Sequence, residues 1–304
     1  MSNKFFKRHQ GRGSYELFSN YSHYLPGLGG MIGLFALFLL GSLLGSLISG
    51  AFVLAMGASD TVLLYSMLVA YPVSFIPPLL YASAQSRRNE YFDIGYALDS
   101  KNFGPRGGIA MAFIVSIATL AAALVCEPVS VMLPDMPETL KKSLELLMDG
   151  PLWAALLSVS VFAPLFEEWL CRGMVLRGLL QKTHPVSAIL VSAAFFAVLH
   201  MNPWQALPAF LLGILFGYVY YKTGSLKLTM LMHCVNNTMA VVFSKIPSLE
   251  EAEGFADVLS PWAYAGVFVA CVACVAATAV VLRNIPFSKD DARSNCDEIP
   301  PMTI

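Results

Sequence analysis

Residues 166–172 read Phe-Glu-Glu-Trp-Leu-Cys-Arg, FEEWLCR, and they lie inside an apolar run at about 151–180. That run is long enough to cross a bilayer as a helix. Charge in such a place is costly, because an ionisable side chain at the centre of a membrane helix opposes insertion by about 2.5 to 3.5 kcal/mol. Two carboxylates and a guanidinium so close together mark either a functional site or a buried ion-pair cluster that locks helices together. Helical spacing separates their jobs. Glu168 and Arg172 stand at i and i+4, share a face and can neutralise each other. Glu167 points about 100° away. It has no cation nearby in sequence, which makes it the candidate working carboxylate, able to take up and return a proton.

The rest of the chain has the same character. Of 304 residues, 57% are hydrophobic and 13% charged, whereas soluble domains carry charge on about a quarter of their residues. The expected fold class is an all-α polytopic membrane protein. Apolar runs at about 28–57, 61–83, 107–133, 151–180, 185–201, 204–221, 225–244 and 261–282 predict about eight transmembrane helices. The first is too long for the apolar part of a signal peptide. Residues 1–26 then form a polar cytoplasmic tail, 27–283 the transmembrane domain with its catalytic core at about 151–245, and 284–304 a polar C-terminal tail.

Lys and Arg collect on the cytoplasmic side of membrane proteins. Eight spans with both termini cytoplasmic place every Lys and Arg inside except Lys141, Lys142 and Lys245. The segment 135–149, rich in Asp and Glu, becomes an outer loop. The net charge of −1 says nothing about nucleic acid; what matters is where the Lys and Arg sit, and the expected partner is membrane lipid, with no nucleic acid. The six cysteines at 126, 171, 234, 271, 274 and 296 lack zinc-type spacing. Cys271 and Cys274 form a CxxC within an apolar run and read as core residues. No repeat is visible, and Pro72, Pro77 and Pro78 in the second span have no counterpart matching Pro208 in the sixth, which counts against a transporter built from inverted repeats.

Two histidines fall in predicted spans. His200 follows Phe196 at i+4 in FAVLH, and His233 precedes Asn237 at i+4 in HCVNN, so each pair shares a helical face. His9 and His23 lie in the tail and His184 in a loop. Glu127 and Asn236 lie near a helix end or off the shared face and read as structural. A single intramembrane His or Asn often serves as glue between helices. A cluster of them with Glu167 requires a shared cavity.

Two chemistries use this set. Glu167, His200 and His233 could bind a divalent metal such as Zn²⁺ with a water in the open position. Alternatively, Glu167 with His200 activates water directly, while His233 and Asn237 donate to the oxyanion of a tetrahedral intermediate. Both end in peptide hydrolysis. HExxH is absent, and Asn is a poor zinc ligand.

The ordered set of EExxxR at Glu167, Glu168 and Arg172, FxxxH at Phe196 and His200, and HxxxN at His233 and Asn237 resembles the CPBP family of intramembrane proteases. That family includes the type II CAAX prenyl endopeptidases and bacteriocin-processing or immunity relatives. The resemblance spans about residues 160–240. It implies an eight-helix core with a cavity reached from membrane and cytosol, cleavage of membrane-associated or lipidated proteins or peptides, and the water-activating and oxyanion roles just given, with Glu168, Arg172 and Phe196 in support. The family is commonly labelled metalloprotease. The expected protein is an integral multi-pass intramembrane endopeptidase, in the plasma membrane if prokaryotic. The alternatives are a proton-coupled transporter and a non-catalytic immunity or scaffold protein.

Overall fold

The computed structural model describes residues 18–90, 95–100, 102–246 and 254–285. Most of the two expected tails, at 1–17 and 286–304, lies outside the described residues. The elements are α1 (Leu28–Met56), α2 (Asp60–Asn89), α3 (Gly107–Val131), α4 (Glu138–Asp149), α5 (Leu152–Lys182), α6 (Pro185–Leu199), α7 (Pro203–Thr223), α8 (Leu226–Phe243), a single turn α9 (Phe255–Val258) and α10 (Pro261–Arg283). The chain is an all-α polytopic membrane protein, with no strand among the described residues.

Each of the eight expected spans is a helix. Six of them, α1, α2, α3, α5, α7 and α10, are long and apolar enough to cross a membrane. The other two fall short for different reasons. α6 has 15 residues and covers about 22 Å at 1.5 Å per residue, less than the roughly 30 Å of hydrocarbon. α8 carries Lys227, His233, Asn236 and Asn237 within 18 residues.

Helix starts follow from capping chemistry. Ser59, Asn202, Ser225 and Ser260 each accept a hydrogen bond from a backbone N–H three residues on. Pro185, Pro203 and Pro261 occupy the first helical position, where no N–H is needed. α7 ends at Gly224, whose φ of 66° gives the left-handed turn that helix ends favour.

Within the bundle α1 lies along α2, α6 along α7, and α3 along α10, while α5 touches α2, α6, α7 and α8. The C-terminal half of α5 is buried on every side from Glu167 to Leu180, as expected for a helix packed at the centre. α1 instead presents Leu28, Ile32, Leu43, Leu47 and Leu54 outward.

The α1–α2 contact depends on two glycines. A Cβ on Gly41 would lie 2.2 Å from the Ser74 carbonyl oxygen, and one on Gly45 2.6 Å from that of Ala70. Pro78 has no N–H to offer the Ser74 carbonyl, so the small residue on α1 fills against an unpaired turn of α2. Gly41→Ala is expected to cost roughly 1 to 3 kcal/mol through overpacking, read as a lower unfolding midpoint in detergent. The same change at Gly33, where a Cβ would meet nothing within 4 Å, should not lower the midpoint and should raise it slightly, because alanine loses less backbone freedom than glycine in a helix.

Two expectations need correction. Residues 135–149 are not merely a charged loop: Leu140, Leu144 and Leu147 recur at helical spacing in α4, and Leu147 packs on Leu64, Leu68 and Ala154. The 3.6-residue period was present in the sequence but masked by its acids. Arg172 and Arg177 are also not loop charges, since both are fully buried. That leaves Lys182 as the exposed cation of its segment. Arg177 donates to the carbonyls of Tyr21, Ser22, Tyr24 and Tyr96 at 2.5–3.3 Å, tying the chain before α1 and the chain after α2 to α5.

Candidate active site

α5 is not a uniform α-helix. Residues Leu156–Phe162 and Trp169–Leu176 are π-helical and flank the α-helical turn Ala163–Glu168 that carries both glutamates. Such wide turns concentrate at functional sites because they leave backbone groups available and re-aim side chains. The first one has a traceable cause. Ala163 N–H reaches back to Ser158 O, and the next residue, Pro164, has no N–H to give. The Val159 carbonyl is passed over by both, and Asn237 Nδ2 on α8 donates to it at 2.7 Å. In the second wide turn, Ser192 Oγ on α6 donates to Cys171 O at 2.9 Å.

The expected Glu168–Arg172 pair is present, fully buried, with Nη1 2.7 Å from Oε1. Arg172 also donates to Gly213 O at 3.0 Å and stands over the rings of Phe196 and Phe216, 4.6 and 5.4 Å from their centroids. Those ring faces supply attraction to the cation where water cannot.

Glu168 has a second partner. Its Oε1 lies 3.1 Å from Nδ1 of His233. A carboxylate paired with a guanidinium is acceptor-only, so Nδ1 carries a proton and donates. The imidazole is thereby oriented with Nε2 turned toward Glu167, 4.0 Å from its Oε2. That separation is too long for a hydrogen bond. Glu167 Oε2 is a buried oxygen with no protein hydrogen-bond partner, while Oε1 accepts a 2.5 Å hydrogen bond from the hydroxyl of Tyr71 on α2.

The remaining candidates stand at the margin of this cluster. His200 caps the end of α6, half-buried, with Nδ1 2.9 Å from the Phe196 carbonyl. If Nδ1 donates there, Nε2 remains for other partners. His200 makes no ion pair with either glutamate among the described residues. The Phe196 ring joins the two histidines, edge-on to His200 at 5.1 Å and to His233 at 5.4 Å. Asn237 has one amide N–H on Val159 and its Oδ1 on Asn236 Nδ2 at 3.1 Å, leaving one N–H.

Glu167, Glu168, Arg172, Phe196 and His233 are thus in one cluster, with His200 and Asn237 alongside and engaged with backbone. Tyr71 is the site residue that sequence reading missed. A tyrosine beside Pro72 in an apolar span carries no spacing signal toward a residue 96 positions away.

The site residues expected from the sequence, Glu167, Glu168, Arg172, Phe196, His200, His233 and Asn237, all lie within one stretch that matches a known family. Residues 149–239 match the Rce1-like family, type II CAAX prenyl endopeptidase Rce1-like. The resemblance to the CPBP proteases carried by EExxxR, FxxxH and HxxxN is borne out over that stretch, and at family level it supports a CAAX-type membrane endopeptidase acting on membrane-associated proteins. No curated protein and no solved structure matches the chain. Tyr71 and the clamp partners of Arg177 lie outside the Rce1-like segment.

The metal option can be tested on the donor set. No three His, Cys, Asp or Glu side chains among the described residues are grouped to hold an ion. Glu167 and His233 face each other, but His200 is not gathered with them. The donors as arranged do not fit a three-ligand centre.

Proposed function

We propose that the protein is an intramembrane endopeptidase that hydrolyses peptide bonds of membrane-associated, CAAX-type lipidated proteins by direct activation of water at Glu167. The observation that carries this reading is the unpartnered Oε2 of Glu167, buried and facing His233 Nε2 across 4.0 Å inside the Rce1-like segment.

In this mechanism Glu167 Oε2 takes a proton from water as the water oxygen attacks the scissile carbonyl carbon. The proton then passes to the leaving amine, so that Glu167 serves first as base and then as acid. His233, held through Nδ1 by Glu168, presents Nε2 to the reacting group. When that nitrogen carries a proton it donates to the developing oxyanion. His200 Nε2 assists in orienting water, and the remaining N–H of Asn237 contributes to the oxyanion. Arg172 acts at a distance by fixing Glu168, and hence the imidazole. The burial of Glu167 and His233 strengthens the interactions at these two groups by limiting bulk water around them.

The test uses purified protein in liposomes with a farnesylated peptide ending in a CAAX sequence, and host membranes as a wider substrate pool. New peptide ends detected by mass spectrometry are the expected result. Intact peptide in both pools, with the protein folded, overturns the reading. Addition of a strong chelator should leave the rate within about twofold, since metal-dependent sites are the ones chelators disable. Loss of activity on chelation with recovery on Zn²⁺ would replace the direct mechanism by a metal-assisted one.

A further inference from the structure

We propose that Tyr71 is the positioning residue that selects which oxygen of Glu167 reacts. This inference rests on the reading of Glu167 as the base. A glutamate's terminal torsion is broad and roughly two-fold, so an unanchored carboxylate presents either oxygen to its surroundings. In this site the two oxygens are distinguished. Oε1 accepts from the Tyr71 hydroxyl at 2.5 Å, and Oε2 faces His233 Nε2 without a hydrogen bond. A hydroxyl donating to an ionised acceptor makes one of the stronger hydrogen bonds available in a protein. It also engages a lone pair of Oε1 that would otherwise compete for the reacting proton.

The arm that delivers the hydroxyl is itself held at both ends. The Tyr71 ring rests against Phe75 on the same helix, 5.5 Å between centroids. Phe75 stacks on Phe166 at 5.2 Å with an interplanar angle of 16°, and Phe166 immediately precedes Glu167. Donor and acceptor are therefore joined twice, once by the hydrogen bond and once through the aromatic train, so neither can drift without the other. α2 is fixed in turn by its close approach to Gly41 and Gly45 of α1. A helix outside the Rce1-like segment thereby sets the orientation of the proposed base inside it.

The test compares Tyr71→Phe with wild type on the farnesylated reporter peptide in liposomes. The substitution keeps the ring and removes only the hydroxyl. The expected result is a kcat lower by about 10- to 100-fold, the scale of loss for a misplaced reacting group, with KM unchanged and the protein still fully folded at the assay temperature, although losing a buried hydrogen bond lowers the unfolding midpoint somewhat. Made in a Glu167→Asp background, where the shortened carboxylate falls away from the hydroxyl, the same change should alter kcat by less than about twofold, because coupled residues are non-additive. Equal losses in both backgrounds, or a fall in the unfolding midpoint that accounts for the lost rate, would overturn the proposal in favour of a packing role. Full activity of Tyr71→Phe beside an inactive Glu167→Gln protein would overturn the Tyr71 role alone. An active Glu167→Gln protein would overturn the reading of the base on which it rests.

Discussion

Glu167→Gln is expected to lower kcat/KM for peptide cleavage by ~10³-fold, within the range for loss of a general base, without disassembling the bundle. The amide has the shape of the carboxylate, and its oxygen can still accept from Tyr71, whose bond to Oε1 sets the side chain. What disappears is the proton acceptor at Oε2. Loss of one buried negative charge near His233 is the accompanying electrostatic change, and the fully buried Glu168 remains to hold the imidazole. Peptide ends formed by wild type and Glu167→Gln protein, measured beside their thermal unfolding in detergent, separate chemistry from folding. Retention of more than about a tenth of the wild-type rate would remove Glu167 from the role of base. A transporter using Glu167 as a proton relay would show substrate-driven proton flux lost in the variant, with no peptide ends in either protein.

Arg172→Ala is expected to carry the largest stability cost, about 3 to 5 kcal/mol, the scale for stranding one partner of a buried ion pair. The truncation removes the 2.7 Å pair with Glu168, the hydrogen bond to Gly213 O and the cation above Phe196 and Phe216. Glu168 is left fully buried with His233 as its polar partner, and the Phe196 ring loses the group it packs on. Low yield and an early unfolding transition are the measurements. Combining Arg172→Met with Glu168→Gln removes both charges and should recover much of the stability. Activity should stay low, because the imidazole then loses its carboxylate. An Arg172→Ala protein that unfolds like wild type and cleaves at full rate would end the claim that this pair organises the site.

Parts of this arrangement could be read directly along the chain. The i, i+4 spacing of Glu168 and Arg172 forces them onto one face whatever the rest of the molecule does, and the pair forms as expected. Apolar runs bounded by Ser-Pro, Asn-Pro or His-Pro place helix starts for local reasons of capping and missing N–H groups. Other parts were hidden. Arg177 looks like any cytoplasmic-facing cation in sequence, and its use on four carbonyls from two distant segments depends on where those segments arrive. The wide turns of α5 were also out of reach, although Pro164 explains one orphaned carbonyl once the turn is known.

The order of residues is enough to set the solvent and the periodicities: a chain so apolar must bury its backbone in helices within lipid, and ionisable groups at i and i+4 must meet. Those consequences follow from composition and from helix geometry alone. Which oxygen of Glu167 is left bare, which nitrogen of His233 faces it, and that Tyr71 from another helix holds the carboxylate were decided only by tertiary structure. These contacts join residues 65 to 96 positions apart. Their geometry is set by how α2, α5 and α8 pack, and helix packing depends on the whole contact surface rather than on any local spacing.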